Sequence, residues 1–385
     1  MKLLIITPRI PDLLDKGDKL RIFHQIKFLS NFHKIDLICL EKKKNTKLEI
    51  EKYIQNLYTI EISNLERVFN ILYYTIIKGK PIQVSYYYSK KAHGKIDYLI
   101  KKSNPDWLYC QLIRSSEYIK SYKHKKVIDY MDSFSLGLRR RKSVSKGLMS
   151  FLIQFEYNRV RKYEKNIFNY FNAHTIISNF DRKSINHLKN KEILVVPNGI
   201  DTNYFSKKNR LKNKNIILFV GNMSYPPNII AAKFICEKVF PIMNKKNQDF
   251  KIMIAGSNPS KEVKNLQKID SKIKITGFIK DIRDVYTKAS IFIAPMFIGS
   301  GLQNKLLEAM AMKIPCVTTD LANNSLKATE KEIIIANNEY EFANECLELL
   351  NNSKKRFELG KNGHNFVKKN FSWEESTDKI NKLFT

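Results

Sequence analysis

The stretch IFIAPMFIGSGLQNKLLEAMA, residues Ile291–Ala311, predicts the fold of this chain. It begins with a short run of apolar, β-branched residues, passes through a Gly-Ser-Gly loop and continues into a strongly helical segment. A buried strand that turns through glycines into a helix is the repeating unit of a parallel sheet covered on both faces. The stretch therefore indicates an α/β protein.

Further apolar runs alternate with helical patterns through the whole chain, which favours parallel sheets in both halves. They are Lys2–Ile6, Lys34–Leu40, Trp107–Leu112, Lys126–Asp132 and His174–Ser178 in the first half, and Ile216–Val220, Lys251–Gly256, Lys272–Gly277, Ile291–Pro295 and Pro315–Thr319 in the second. A chain of 385 residues is longer than a domain with a single hydrophobic core usually is. We expect two facing Rossmann-like domains with an interdomain cleft, joined by a hinge near Pro197–Asp201, and ligands at the carboxyl ends of the strands.

The composition is that of a globular protein with an unusual charge. Apolar residues make up 43% and charged residues 27%, and the formal net charge is +31. Residues 1–200 contribute +20 of it. Such a field favours anionic partners, namely nucleic acid, an anionic membrane surface or phosphorylated substrates. The other interpretation is a general lysine bias, and charge alone does not decide between them.

The sequence also bears on the compartment. No apolar run is long enough to span a bilayer, and the first residues predict a strand rather than a signal peptide. The cysteines are odd in number and lack metal-ligand spacing, which favours buried free thiols in a reducing cytoplasm: Cys39, Cys110, Cys236, Cys316 and Cys346.

The glycine loop and the helix after it predict a nucleotide site. Gly299 and Gly301 allow backbone amides to approach an anion, and Lys305 adds charge in the first helical turn. Glu308 lies three residues later on the same face. A carboxylate repels phosphate but accepts two hydrogen bonds from a ribose diol, so a nucleoside diphosphate fits. The alternative is a surface Lys–Glu pair beside an ordinary loop.

These motifs resemble the GT-B glycosyltransferases of family 4, especially the sugar transferases associated with exopolysaccharide systems. The similar segments span the chain: Tyr109–Tyr118, Val127–Ser135, Val196–Phe205, Phe219–Asn228, Thr276–Tyr286, Gly299–Ala311, Pro315–Thr319 and Phe371–Phe384. The resemblance implies an acceptor-side domain at residues 1–195, a donor domain at 196–371, and a terminal helix at about 372–385 that returns to the first domain.

The resemblance also implies site roles. A retaining, metal-independent transfer needs no cofactor, and the nucleotide-sugar is a substrate. We expect Lys305 and the amides of Gly301 and Leu302 on the phosphates, and Glu308 on the ribose. We expect the backbone at Phe278 and Ile279 to bind the base. Further contacts to the donor are expected from Gly17, Gly221 and Asn222.

Two positions depart from the family pattern. The first glutamate of the usual motif, which contacts donor-sugar hydroxyls, is replaced by Ser300. The segment Gly221–Asn228 carries no basic residue, so Lys305 and loop amides must bind more of the phosphate. These changes leave the donor sugar and the nucleotide open.

On the acceptor side, we expect Asp132 to end a strand, where it could orient an acceptor hydroxyl or instead serve as a helix cap or in a loop salt bridge. Arg114 follows another strand and could meet a phosphate. Gly17, in the loop after the first strand, could be an ordinary turn glycine. The segments Val68–Lys80 and Leu138–Phe155 mix basic and large apolar residues, so they either pack into the core or rest on an anionic membrane.

From these features we expect a cytoplasmic hexosyltransferase, peripheral at the inner face of the plasma membrane, that acts on a glycan or lipid-linked glycan in cell-surface polysaccharide biosynthesis. A GT-B nucleotide-sugar epimerase or hydrolase would need acid and base groups that the motif loop lacks. A nucleic-acid-binding protein would interleave basic and aromatic residues on one surface, whereas here the basic residues are spread over the chain.

Overall fold

The computed structural model describes residues 1–12, 16–42, 47–143, 145–206, 215–246, 249–298 and 302–384. These residues form two compact units. Unit 1 comprises Met1–Asn198 with Trp373–Thr385, and unit 2 comprises Gly199–Ser372.

Unit 1 contains a seven-stranded parallel sheet with the strand order β3-β2-β1-β4-β5-β6-β7. The strands are β1 (Lys2–Thr7), β2 (Lys34–Cys39), β3 (Asn56–Thr59), β4 (Trp107–Gln111), β5 (Lys125–Asp129), β6 (Ala173–Ile176) and β7 (Leu194–Val195). Apolar side chains pack on both faces of this sheet, which explains why β1, β2 and β4 are mostly apolar.

The helices of unit 1 cover those two faces. They are α1 (Gly17–Leu29), α2 (Asn64–Asn70), α3 (Ile82–Tyr87), α4 (Lys90–Ser103), α5 (Phe134–Ser143), α6 (Gly147–Phe168), α7 (Asn179–Ser184) and, from the end of the chain, α16 (Trp373–Asn381). Helix α2 continues without a break as a π-helix, Ile71–Ile77. Helix α16 packs on α1, where the Trp373 ring stacks on His24 with centroids 4.5 Å apart.

Unit 2 contains a six-stranded parallel sheet with the order β10-β9-β8-β11-β12-β13. The strands are β8 (Ile216–Val220), β9 (Lys251–Ala255), β10 (Ile273–Ile275), β11 (Ile291–Ala294), β12 (Cys316–Thr318) and β13 (Ile334–Ile335). The prediction of an α/β protein with two parallel sheets is confirmed. The sequence did not reveal the short edge strands β3 and β13.

The helices of unit 2 follow its strands. They are α8 (Pro226–Phe234), α9 (Phe240–Lys246), α10 (Lys261–Asn265), α11 (Arg283–Tyr286), α12 (Asn304–Ala311), α13 (Asp320–Leu326), α14 (Glu339–Asn351) and α15 (Ser353–Asn370), with a π-helix at Ile235–Val239 between α8 and α9. The strand order reverses between β8 and β11, and ligands of open α/β sheets bind at such a switch point, beyond the carboxyl ends of the strands.

Two predicted positions are corrected by the structure. Strand β5 ends at Asp129, so Asp132 lies in the turn beyond it rather than at the end of the strand. The chain leaves the sheet there because Met131 adopts a left-handed backbone with φ of 62°. Gly17 is not in the loop after β1 but is the first residue of α1.

Candidate functional site

Helix α12 presents its two charged residues at the switch point of unit 2. Leu306, Leu307 and Met310 are buried against the core, and Lys305 and Glu308 lie half-buried on the other face. The spacing of three residues that the sequence showed therefore places both side chains on one face, as predicted.

The Lys305 ammonium lies among polar and apolar neighbours rather than in open solvent. It donates a 2.6 Å hydrogen bond to the Asn228 side-chain oxygen and lies 4.5 Å from the centroid of the Phe219 ring. Burial lowers the pKa of Lys305 to about 7, and the neighbouring Glu308 opposes that shift. The ammonium would balance the charge of an anion bound here, and the anion would in turn raise the pKa of Lys305.

Asn228 connects α12 to the loop after β8. Its side chain is buried, and its amide nitrogen donates a 3.0 Å hydrogen bond to the Asn222 carbonyl. The amide packs tightly on Gly221, where an added Cβ would lie 2.6 Å from the Asn228 nitrogen. The glycine therefore makes room for the amide that holds Lys305.

Glu308 is held from the other side by Tyr286 at the end of α11. The buried Tyr286 hydroxyl donates a 2.8 Å hydrogen bond to the Glu308 carboxylate. Burial raises the pKa of Glu308 to about 7, while the Tyr286 hydrogen bond and the Lys305 charge lower it. A carboxylate held in this way keeps lone pairs available for other donors.

Three glycines bring together the loops after β8, β9 and β10. Gly256 has φ of 140°, and an added Cβ would lie 1.8 Å from the Gly221 carbonyl oxygen. Its N–H donates a 3.1 Å hydrogen bond to the Gly277 carbonyl. This contact holds the segment that contains Phe278, which is exposed, and Ile279, which packs against the core.

The remaining donor-site residues of unit 2 fall in part outside the described residues. Gly299, Ser300 and Gly301 lie in that undescribed part of the chain. Leu302 is the first described residue after it, and its half-buried side chain packs against the core.

The predicted residues of unit 1 lie near the carboxyl ends of β1, β4 and β5. An added Cβ on Gly17 would lie 3.0 Å from the Met131 methyl carbon, so α1 approaches the turn before Asp132 closely. Asp132 is exposed.

Arg114 is engaged within unit 1. Its Nε donates a 2.9 Å hydrogen bond to Gln83, and its guanidinium lies 5.0 Å from the Phe134 ring centroid and 4.0 Å from the Asp18 carboxylate. Burial lowers the pKa of Arg114.

Sequence reasoning missed Asn228, Tyr286 and Phe219 as members of the site in unit 2. All three lie inside segments that the resemblance covers, Phe219–Asn228 and Thr276–Tyr286. The sequence did offer one signal, since the segment Phe219–Asn228 has no basic residue. A polar side chain in that segment could therefore be expected to bind the Lys305 ammonium.

Comparison with known proteins identifies a family for one region of the chain. Residues 214–352 match the family model of glycosyl transferases group 1, and this region contains Asn228, Tyr286, Lys305 and Glu308. The matched region is that of a group 1 glycosyl transferase. The protein is therefore a glycosyltransferase enzyme that takes its sugar from a nucleotide-sugar donor, as the resemblance predicted.

Relatives and solved structures are similar to the chain over nearly its whole length. A protein from the cps region of Klebsiella pneumoniae, described as an uncharacterized 44.6 kDa protein, is 24% identical and covers 96% of each chain. Sucrose-phosphate synthase from Thermosynechococcus elongatus is similar in fold with a TM-score of 0.73 at 12% identity, over 100% of this glycosyltransferase and 98% of that chain. HepE from Anabaena, solved with UDP, has a TM-score of 0.69 at 11% identity, and the match covers 99% of this chain and 98% of HepE. The fold is GT-B.

One negative finding concerns membranes. Among the helices in the described ranges, none combines the length and the hydropathy needed to cross a bilayer.

Proposed function

We propose that this glycosyltransferase binds its nucleotide-sugar donor on α12 of unit 2 and transfers the sugar, with retention, to a lipid-linked glycan in cell-surface polysaccharide biosynthesis. One observation carries the proposal. Asn228 and Tyr286 hold Lys305 and Glu308 beside each other on one helix face at a switch point. A cation and an anion side by side match a diphosphate next to a ribose.

Each part of the donor has a partner in this arrangement. The Lys305 ammonium and the amides of Gly301 and Leu302 bind the diphosphate, and the Glu308 carboxylate accepts hydrogen bonds from the ribose hydroxyls. Backbone at Phe278 and Ile279 meets the base, and Gly221 and Asn222 line the phosphate side. Gly17 of unit 1 lets backbone approach the donor.

Catalysis then rests on position and charge. In a front-side transfer the departing phosphate takes the proton of the acceptor hydroxyl, and Lys305 stabilises the charge that develops on the leaving diphosphate. Asp132 orients the acceptor hydroxyl and Arg114 meets an acceptor phosphate. The sequence has no DxD-type motif at a strand end, and we propose that the transfer needs no metal.

The comparisons suggest which donor and which pathway to test first. The HepE structures contain UDP and, in a second case, UDP-glucose, so UDP-sugars are the first donors to test. The similar Klebsiella protein belongs to a cps region, which supports a role in capsule-type polysaccharide synthesis. Ser300, in place of the usual glutamate, gives the donor sugar a neutral neighbour, and we propose that it sets donor preference rather than activity.

A thermal-shift panel tests the proposal. UDP, GDP, ADP and dTDP, each with and without a sugar, are added to the wild-type protein and to the Lys305→Gln variant. We expect one nucleotide to raise the melting temperature of the wild-type protein clearly and that of the variant little. Equal shifts in both proteins, or none with any nucleotide, would contradict a donor site on α12.

A further inference from the structure

A helical segment of unit 1 has its apolar face turned outward. In Asn64–Ile77 seven apolar residues recur with helical spacing and are exposed: Leu65, Val68, Phe69, Leu72, Tyr73, Ile76 and Ile77. Leu65 is 75% exposed, Phe69 68% and Ile76 70%. We call these seven residues the apolar stripe. A helix on a globular core normally turns such a stripe inward.

The opposite, polar face of the same segment is bonded to the body of unit 1. The Asn70 amide donates a 2.6 Å hydrogen bond to the Tyr88 carbonyl, and the Thr75 hydroxyl donates a 2.9 Å hydrogen bond to Ser85. Thr75 is the one buried residue of the π-helix. The outward direction of the stripe is therefore fixed by specific hydrogen bonds.

A second exposed apolar group lies at the start of α6. Leu148, Met149, Phe151, Leu152 and Phe155 are each more than half exposed, whereas Ile153 and Val160 of the same helix are buried. The outward face becomes polar later along the helix, with Arg161 and Lys162. The apolar character is therefore confined to the first turns of α6.

These two apolar groups belong to one connected part of unit 1. Ile82, just after the stripe, donates its backbone N–H in a 2.7 Å hydrogen bond to the Glu156 carboxylate of α6. The segment from the end of α5 to the start of α6 is strongly basic, since residues 139–146 contain five basic and no acidic residue. Large apolar side chains beside a basic cluster are typical of helices that lie in a membrane interface.

We infer that the apolar stripe and the first turns of α6 dock unit 1 onto an anionic lipid bilayer. Apolar side chains enter the interface, while Arg139, Arg141, Lys142 and Lys146 face anionic headgroups. A second copy of the chain is a poorer occupant, because a symmetric contact would bring two basic clusters together. The inference extends the proposed function by naming the surface on which the acceptor-side unit works.

Vesicle flotation with the full chain tests this docking surface. Vesicles of phosphatidylcholine alone are compared with vesicles that also contain phosphatidylglycerol, at low and high salt. We expect binding to the anionic vesicles only, and release by salt because screening weakens the attraction. Phe69→Ser with Ile76→Ser should weaken binding about tenfold or more, since two large apolar side chains leave the interface.

Matched variants separate docking from general effects. Ile269→Ser with Phe357→Ser removes two exposed apolar residues of unit 2 and should leave binding unchanged. Phe69→Leu with Ile76→Leu should retain binding. Arg139, Arg141 and Lys142 changed to glutamine should weaken binding by about tenfold or more. The same change at Lys354, Lys361 and Lys368 of α15, which are exposed, should have little effect.

The outcomes that overturn the inference are distinct from failure of the donor site. Equal flotation with neutral and anionic vesicles, no flotation with either, or stripe variants that bind as the wild type would each overturn it. A wild-type dimer in solution that the stripe variant converts to a monomer, without vesicle binding, would assign the stripe to a second copy. Nucleotide binding is measured on the same samples, and the stripe variants should keep it while Glu308→Gln keeps flotation.

Discussion

The Tyr286 hydroxyl donates a 2.8 Å hydrogen bond to the Glu308 carboxylate, so α11 positions the acidic residue that α12 presents. Tyr286 is buried and its ring packs on Phe205 and Phe292, which leaves its hydroxyl little freedom to turn away. The carboxylate that we assign to the ribose is therefore preorganised before a donor arrives.

Tyr286→Phe should weaken nucleotide binding in a pH-dependent way. The hydrogen bond lowers the pKa of Glu308, so its loss raises that pKa further above its ordinary value. Only the ionised carboxylate accepts two hydrogen bonds from the ribose, so the loss of affinity should be about fivefold or more at about pH 6 and small at about pH 8.5. Calorimetric titration at both pH values measures it.

Tyr340→Phe is the matched control for that measurement, because Tyr340 is an exposed tyrosine of the same unit. It should bind nucleotide as the wild type does at both pH values. An equal loss for Tyr286→Phe at both pH values would argue against an effect through Glu308.

Gly256→Ala should destabilise unit 2 and weaken donor binding. The added methyl group would lie 1.8 Å from the Gly221 carbonyl, and φ of 140° is unfavourable for alanine. We expect a loss of about 1–3 kcal/mol in the free energy of unfolding. Gly94→Ala in α4 meets nothing within 4 Å and should instead raise stability slightly. Thermal unfolding compares the two, and an unchanged melting temperature for Gly256→Ala would count against this close approach.

The sequence predicted most of the strands, and the strand with uniform burial was the plainest case. Ile216–Val220 is buried at every position and was readable from composition alone. Strand β3 was missed because Asn56–Thr59 is short, mixed in polarity and without a buried residue. The end of β5 was misplaced because the left-handed backbone of Met131 ends the strand, and the sequence pattern does not show that conformation.

In the candidate site, too, the sequence predicted contacts within one element but not contacts between elements. Helical spacing placed Lys305 and Glu308 on one face, but their partners Asn228 and Tyr286 come from other loops and depend on tertiary packing. The periodicity of residues 64–77 likewise showed an apolar face without showing its direction. Hydrogen bonds from Asn70 and Thr75 turn that face outward, and no pattern in the segment itself reports them.

Breaking the buried Arg21–Asp129 pair should strongly destabilise unit 1. Arg21 Nε donates a 2.6 Å hydrogen bond to the Asp129 carboxylate, and both side chains are fully buried. Arg21→Met leaves a buried carboxylate without its counter-charge and should cost about 3–5 kcal/mol in the free energy of unfolding. Arg21→Met combined with Asp129→Asn should recover part of that loss, as measured by urea unfolding.

The pH dependence of the same variant follows from the sign of the pKa change. Arg21 lowers the pKa of Asp129, so its removal raises that pKa, and the folded variant binds a proton more readily than the unfolded chain. The destabilisation by Arg21→Met should therefore be smaller at about pH 5 than at about pH 8. A larger loss at the lower pH would contradict this account of the pair.

The central claim, that Lys305 and Glu308 form the donor site, is tested most directly by calorimetric titration with a nucleoside diphosphate and its 2′-deoxy form. The wild type should prefer the ribose form, and Glu308→Gln should lose most of that preference. Lys305→Gln should lose about 2–4 kcal/mol of binding free energy for both forms and keep the preference for the ribose form. Wild-type affinities and an unchanged preference in both variants would show that the donor binds elsewhere.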